Sequence, residues 1–126
     1  MLDKLLIFKI NLEISSHNLL NCNNTFMFIA MNRFKVKLGE EKYFEEIWKN
    51  RDSHLKDVQG FKKFNLVKSE SNNEFTLYAS HSEWNSKEDF INWTKSEAFR
   101  QAHKNAGEHR SVYLDHPVFE GFEVVI

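Results

Sequence analysis

Between Phe26 and Leu38 the side chains alternate: Phe26, Phe28, Ala30, Asn32, Phe34, Val36 and Leu38 fall on one face, and Arg33, Lys35 and Lys37 on the other. A period of two with one apolar and one charged face is the mark of a half-buried β-strand. The chain must therefore build a sheet with one covered side. Asn32 interrupts the apolar face, where an amide left without a partner costs roughly 1–3 kcal/mol. Nearby backbone is the ordinary way to satisfy it, and a bound ligand is the other.

The pattern downstream fixes how that sheet is covered. Gly39 ends the strand, and Phe44, Ile47, Trp48, Arg51 and Leu55 then recur at i, i+3, i+4, i+7 and i+11, the stripe of an amphipathic helix. After Gly60, residues Phe61 to Ser69 and Phe75 to Trp84 are rich in aromatic and β-branched side chains around Glu70-Ser-Asn-Asn73, which predicts a hairpin. Ser86 with Asp89 three positions on resembles a capping box and opens a helix with Phe90 and Trp93 facing inward. Ser96 caps a second helical segment, in which Phe99, Ala102, His103 and Ala106 share a face and Gly107 ends the pattern. Asp115-His-Pro117 is predicted as loop and Val118 to Ile126 as the last strand.

The order is β-α-β-β-α-β, the ferredoxin-like α+β unit: an antiparallel sheet with its helices on one face. Its second face is left for a twin to cover, the simplest route being a homodimer. Residues 27–126 form this domain. Residues 1–26, ending in the polar cluster Asn21-Cys-Asn-Asn-Thr25, are predicted as an N-terminal extension, either dispensable for folding or an extra element packed on the domain.

Composition excludes several classes of function. At 126 residues one domain is expected, and a formal net charge of −1 supplies no long-range field for nucleic acid or an anionic membrane. Cys22 stands alone, so no intrachain disulfide forms and no zinc spacing exists, which fits a reducing, cytoplasmic setting. Lys9, Asn11 and Glu13 interrupt the apolar start before a signal core or membrane span can form. There is no phosphate-binding glycine loop, no Gly-x-Ser-x-Gly elbow and no His-Glu-x-x-His helix. The surplus is aromatic, with twelve Phe and three Trp, and a pocket or a subunit contact would use it.

Two further polar groups stand in apolar settings. Trp93 faces inward, where its indole nitrogen needs a partner. His103 lies on the Phe99–Ala102–Ala106 stripe, where desolvation favours the neutral imidazole, the form that binds a metal. A lone histidine on an apolar face is more often a satisfied core residue, and one ligand is too few for zinc. Haem needs only one, since its porphyrin supplies four nitrogens. Trp48 and Trp84 are assigned to packing, and His54, His81, His109 and His116 to surface or packing roles.

The segments Ala30-Met-Asn-Arg-Phe34, Gly60-Phe61, Trp84-Asn-Ser-Lys-Glu-Asp-Phe90 and Trp93-Thr-Lys-Ser-Glu-Ala-Phe-Arg-Gln-Ala-His103 resemble the IsdG-type haem-degrading monooxygenases. These belong to the dimeric α+β barrel, or antibiotic biosynthesis monooxygenase, superfamily, and the HmuQ-like branch is the most similar. The resemblance covers residues 27–126. It implies a homodimer whose sheets form a barrel, with haem as both substrate and cofactor held between helices and sheet of each subunit. Matched by position, it implies His103 as proximal ligand of the haem iron, Asn32 as the amide facing the oxygen ligand, and Trp93 as the ring pressed on the macrocycle. The activity implied is oxidative cleavage of haem to a linear tetrapyrrole with release of iron, using dioxygen and electrons from an external reductase. Arg33, Arg100 and Lys104 are cationic candidates for the propionates, each better read as a surface residue. A non-catalytic haem-binding module, or a cofactor-free monooxygenase of small aromatic compounds, would have the same fold.

Overall fold

The alternating run forms β1 (Phe28–Lys37) in the computed structural model, which describes residues 26–51, 54–104 and 111–126. Phe28, Ala30, Phe34 and Val36 are buried, and Arg33 and Lys35 are exposed, as the period of two requires. Helix α1 (Glu41–Lys49) follows and buries Phe44. It is shorter than its stripe. His54 takes a left-handed conformation at φ 51°, and Leu55 reaches the core from a separate 3-10 turn, Leu55–Asp57. The apolar spacing from Phe44 to Leu55 thus belongs to two elements packed on one surface.

Gly60, at φ 81°, turns the chain into the hairpin, and a Cβ there would collide with the Asp89 side chain. Strands β2 (Phe61–Ser71) and β3 (Phe75–Trp84) pair antiparallel as predicted. Asn72 fixes their turn, its Oδ1 accepting from the Glu74 and Phe75 amides at 2.7 and 2.8 Å. Helices α2 (Lys87–Thr94) and α3 (Glu97–His103) begin at the two predicted caps: Ser86 Oγ accepts from the Asp89 amide, and Ser96 Oγ from the Phe99 amide.

Strand β4 (Tyr113–Glu123) starts five residues earlier than the sequence suggested. The Asp115–Pro117 stretch, predicted as loop, is a bulge inside it: Arg33 of β1 faces Val118 but Lys35 faces Leu114. Asp115 sits at φ 55° and Pro117 has no amide proton, so the stretch imitates a loop in sequence while its flanks pair with β1. Ala106, Gly107, Cys22, His109 and residues 1–25 lie outside the described residues.

The sheet is antiparallel in the order β2-β3-β1-β4, so the two central strands are β3 and β1. With helices on one face this is the ferredoxin-like α+β arrangement, with the second helical layer split into α2 and α3. The core divides along β1 into two aromatic clusters. One joins Phe34, Val36, Phe44, Tyr78 and Val112, and the other Phe28, Ala30, Leu55, Trp84, Phe90 and Ile91. On the uncovered face Val67, Val118 and Phe122 are exposed. Among the described residues no helix is long and apolar enough to cross a membrane.

Candidate functional site

Between the sheet and the helices lies a cavity of about 140 Å³ whose lining includes Asn32, Trp93 and His103. The three polar groups singled out in the sequence, separated by up to seventy residues of chain, therefore meet in one place. The sheet wall is Ala30 and Asn32 from β1, Phe64 from β2, and Ser80, Ser82 and Trp84 from β3. The helical wall includes Trp48, Arg51, Phe90, Trp93, Phe99 and His103.

Asn32 and Trp93 share an unusual property. Asn32 Oδ1 and Trp93 Nε1 are buried, and neither has a hydrogen-bond partner. Folded proteins leave few such groups, because each costs roughly 1–3 kcal/mol. Two orphans in one cavity point to a ligand or water that completes them. Trp93 is held for this position by rings: Trp84 at 5.3 Å, Phe99 edge-on at 4.8 Å and His103 at 5.8 Å between centroids. The link between α2 and α3 is fixed as well, since Ser96 Oγ donates to the Trp93 carbonyl at 2.6 Å while capping α3.

His103 closes α3. Its Nδ1 lies 2.8 Å from the Phe99 carbonyl oxygen, which can only accept, so Nδ1 carries the proton and Nε2 keeps its lone pair. Burial pushes its pKa from 6.5 down to about 4; the Phe99 bond opposes this and the nearby Arg51 charge adds to it. The imidazole is neutral at physiological pH and presents the nitrogen a metal would use. Among the described residues no three His, Cys, Asp or Glu side chains converge, and His103 is the one such residue in the cavity lining, so a metal held here by these side chains would have one ligand.

The cavity also contains residues that the sequence reading placed elsewhere. Trp48 and Trp84, assigned to packing, do pack, Trp48 stacking on Phe64 at 5.6 Å, but both also line the cavity. Arg51, read as part of a helical stripe, lies with its guanidinium 4.1 Å over the Trp48 ring, and burial lowers its pKa from the ordinary range. Among the described residues no carboxylate pairs with it. By contrast Arg33 pairs with Glu120 at 3.2 Å and Arg100 with Glu97 at 2.8 Å, both exposed, and neither these nor Lys104 line the cavity. Ser80 and Ser82 were not singled out. Their signal was present: at i and i+2 they share the face of Tyr78 and Trp84 on an inward-facing strand.

Residues 27–105 match the family model described as antibiotic biosynthesis monooxygenase. A haem-degrading monooxygenase of Halalkalibacterium halodurans is 36% identical over 78 residues, 61% of this chain and 66% of that protein. A staphylobilin-producing haem oxygenase of Staphylococcus haemolyticus is 35% identical over 80 residues, 63% of this chain and 75% of that protein. Among solved structures, the haem-degrader MhuD of Mycobacterium tuberculosis, crystallised with two haems in its active site, superposes with a TM-score of 0.57. It is 22% identical, with 79% of this chain and 96% of that one covered, so the likeness is one of fold.

Proposed function

This chain belongs to the antibiotic biosynthesis monooxygenase family, and from that premise we propose that it cleaves haem oxidatively to a linear tetrapyrrole and releases iron, drawing electrons from an external reductase. The observation that carries the reading is His103. It is a half-buried, neutral imidazole with Nδ1 tied to Phe99 and Nε2 left for a ligand, in a cavity whose lining holds no other His and no Cys, Asp or Glu among the described residues. Haem is the cofactor that one such histidine can hold. The relatives named for haem degradation support the same choice of ligand.

Haem, when bound, supplies the iron that activates dioxygen and the ring that is opened. The residues of the chain then have separable tasks. His103 Nε2 holds the metal, and the Phe99 carbonyl keeps the imidazole in that tautomer. The Asn32 side chain, whose Oδ1 lacks a donor in the sheet wall, would orient a small ligand, its Nδ2 donating to an oxygen and its Oδ1 accepting from a bound water. Trp93, lining the cavity, would set its indole against a flat ligand held there. Trp48, Phe64, Phe90 and Phe99 keep bulk water out. Arg51 is the cavity's cation and meets a carboxylate of the ligand, replacing the surface arginines as the propionate candidate. The exposed Val67, Val118 and Phe122 support a homodimer formed through the uncovered sheet face.

The volume of about 140 Å³ favours one second reading, a cofactor-free monooxygenase of a small aromatic compound. Anaerobic titration with haem, followed by dioxygen and a reductant, separates the two. The proposed function predicts uptake of about one haem per subunit and then loss of the Soret band with release of iron. A Soret band that persists under those conditions, or turnover of a phenol without haem uptake, contradicts it.

A further inference from the structure

Asn32 of β1 and Ser80 of β3 are direct cross-strand partners, and both side chains line the cavity. Directly opposed residues on one face of an antiparallel pair have Cβ atoms about 4.5–5.5 Å apart. Ser80 is 8% exposed and lines the cavity from the strand beside β1. Asn32 Oδ1, directly across from it, is buried without a hydrogen-bond partner.

Ser82, two residues along the same face, provides the contrast. Its hydroxyl accepts from Trp84 Nε1 at 2.9 Å and donates to the Ala30 carbonyl at 3.5 Å, so both of its capacities are used within the protein. A serine is also small enough to leave space above the strand, where a valine or isoleucine, the usual inward residues of a central strand, would fill it.

We infer that Ser80 and Asn32 form one hydrogen-bonding seat in the sheet wall for a small oxygen or nitrogen ligand, with Ser80 a second ligand contact beside the amide. The inference rests on the haem reading above. Without that ligand the seat holds a single water, since two hydrogen bonds of about 2.8–3.0 Å span partners at this separation. The water donates to the Asn32 oxygen, which otherwise has no donor, and accepts from the Ser80 hydroxyl. Azide, an acceptor, would take the place of that water and accept from the Ser80 hydroxyl, which makes it a stable probe of that donor. The serine supplies a donor whose hydrogen rotates to suit, complementing the fixed plane of the amide.

The test has two measurements. A high-resolution crystal structure of the ligand-free protein should show one water within hydrogen-bonding distance of both Ser80 Oγ and the Asn32 side chain; an empty or apolar gap there overturns the inference. Wild type, Ser80→Ala and Ser80→Thr, each saturated with ferric haem, are then titrated with azide and followed by absorption. Ser80→Ala should weaken azide binding about tenfold, the value of one hydrogen bond, and Ser80→Thr, which keeps the hydroxyl, should recover most of it. Equal azide affinity in wild type and Ser80→Ala, with normal haem uptake, overturns the role of Ser80 and leaves the proposed function standing. Failure of the wild type to take up haem overturns both.

Discussion

The two ends of the sheet are built from the same strands yet treat their buried polar groups oppositely. Toward the Val36 end, Thr76 is fully buried and its hydroxyl donates to Glu41 Oε1 at 2.9 Å while bonding Ser71 Oγ at 2.6 Å; Tyr78 donates to Glu45 Oε2 at 3.0 Å. Phe34, Phe44 and Tyr78 fill the space between, with ring centroids 5.0–5.3 Å apart. Toward the Phe28 end, the same strands present Asn32 and Ser80 to a cavity, and Asn32 Oδ1 and Trp93 Nε1 go unpartnered. Sequence hydrophobicity hardly distinguishes the ends, since both are aromatic-rich. Hydrogen bonding does: the first end is complete as folded, and the second is complete only with a ligand. Incomplete polar groups at a site of low local density are where a fold trades stability for function.

That contrast makes predictions of decreasing size. The largest concerns the packed end. Phe44→Ala should cost about 3–5 kcal/mol in denaturant unfolding, the value of emptying a filled aromatic site; a loss below about 1 kcal/mol would show this end to be as loose as the other. Next is pH. The folded pKa of His103, about 4, lies below its unfolded value of 6.5, so as pH falls the unfolded chain takes up the proton first. The stability His103 confers is present above pH 6.5 and is lost as pH falls toward 4, by about 2–3 kcal/mol. The fall between pH 7 and 4 should be shallower in His103→Gln; parallel profiles would place the titration elsewhere.

The smallest effect compares two amputations of polar groups. Thr76→Val, at the complete end, should destabilise by about 1–2 kcal/mol through lost hydrogen bonds. Asn32→Leu, close in volume, should leave unfolding within about 1 kcal/mol of wild type or stabilise it, since it removes a buried oxygen that lacks a donor. Equal losses in both variants would erase the distinction between the ends.

Much of this architecture is legible in the amino-acid sequence because local rules and tertiary structure agree there. The alternation through β1, the hairpin around Asn72, and the caps at Ser86 and Ser96 each carry their own physical signal, and each stands where it was expected. Strand β4 was misjudged because a bulge and a loop use the same residues: Asp115 at positive φ and Pro117 without an amide proton serve either. The apolar neighbours of Asn32, Trp93 and His103 mark each as an inward polar group, and the family resemblance is what joins the three into one site. Arg51 and Trp48 were not, because a helical stripe shows which residues face inward but not whether a neighbour or a cavity meets them. Ser80 was hidden by its strand, where Thr76, Ser80 and Ser82 all fall on the inward face and nothing in the sequence tells which of them meets a cavity.

The most direct measurement is the thermal unfolding of wild type and His103→Ala with and without one equivalent of ferric haem at neutral pH, with the Soret band recorded in parallel. If the cavity end is completed by haem through His103, haem should raise the midpoint of wild type by several degrees with a histidine-ligated Soret spectrum, and should raise that of His103→Ala little or not at all. An unchanged wild-type midpoint without a Soret shift, or equal stabilisation of both proteins, would contradict it.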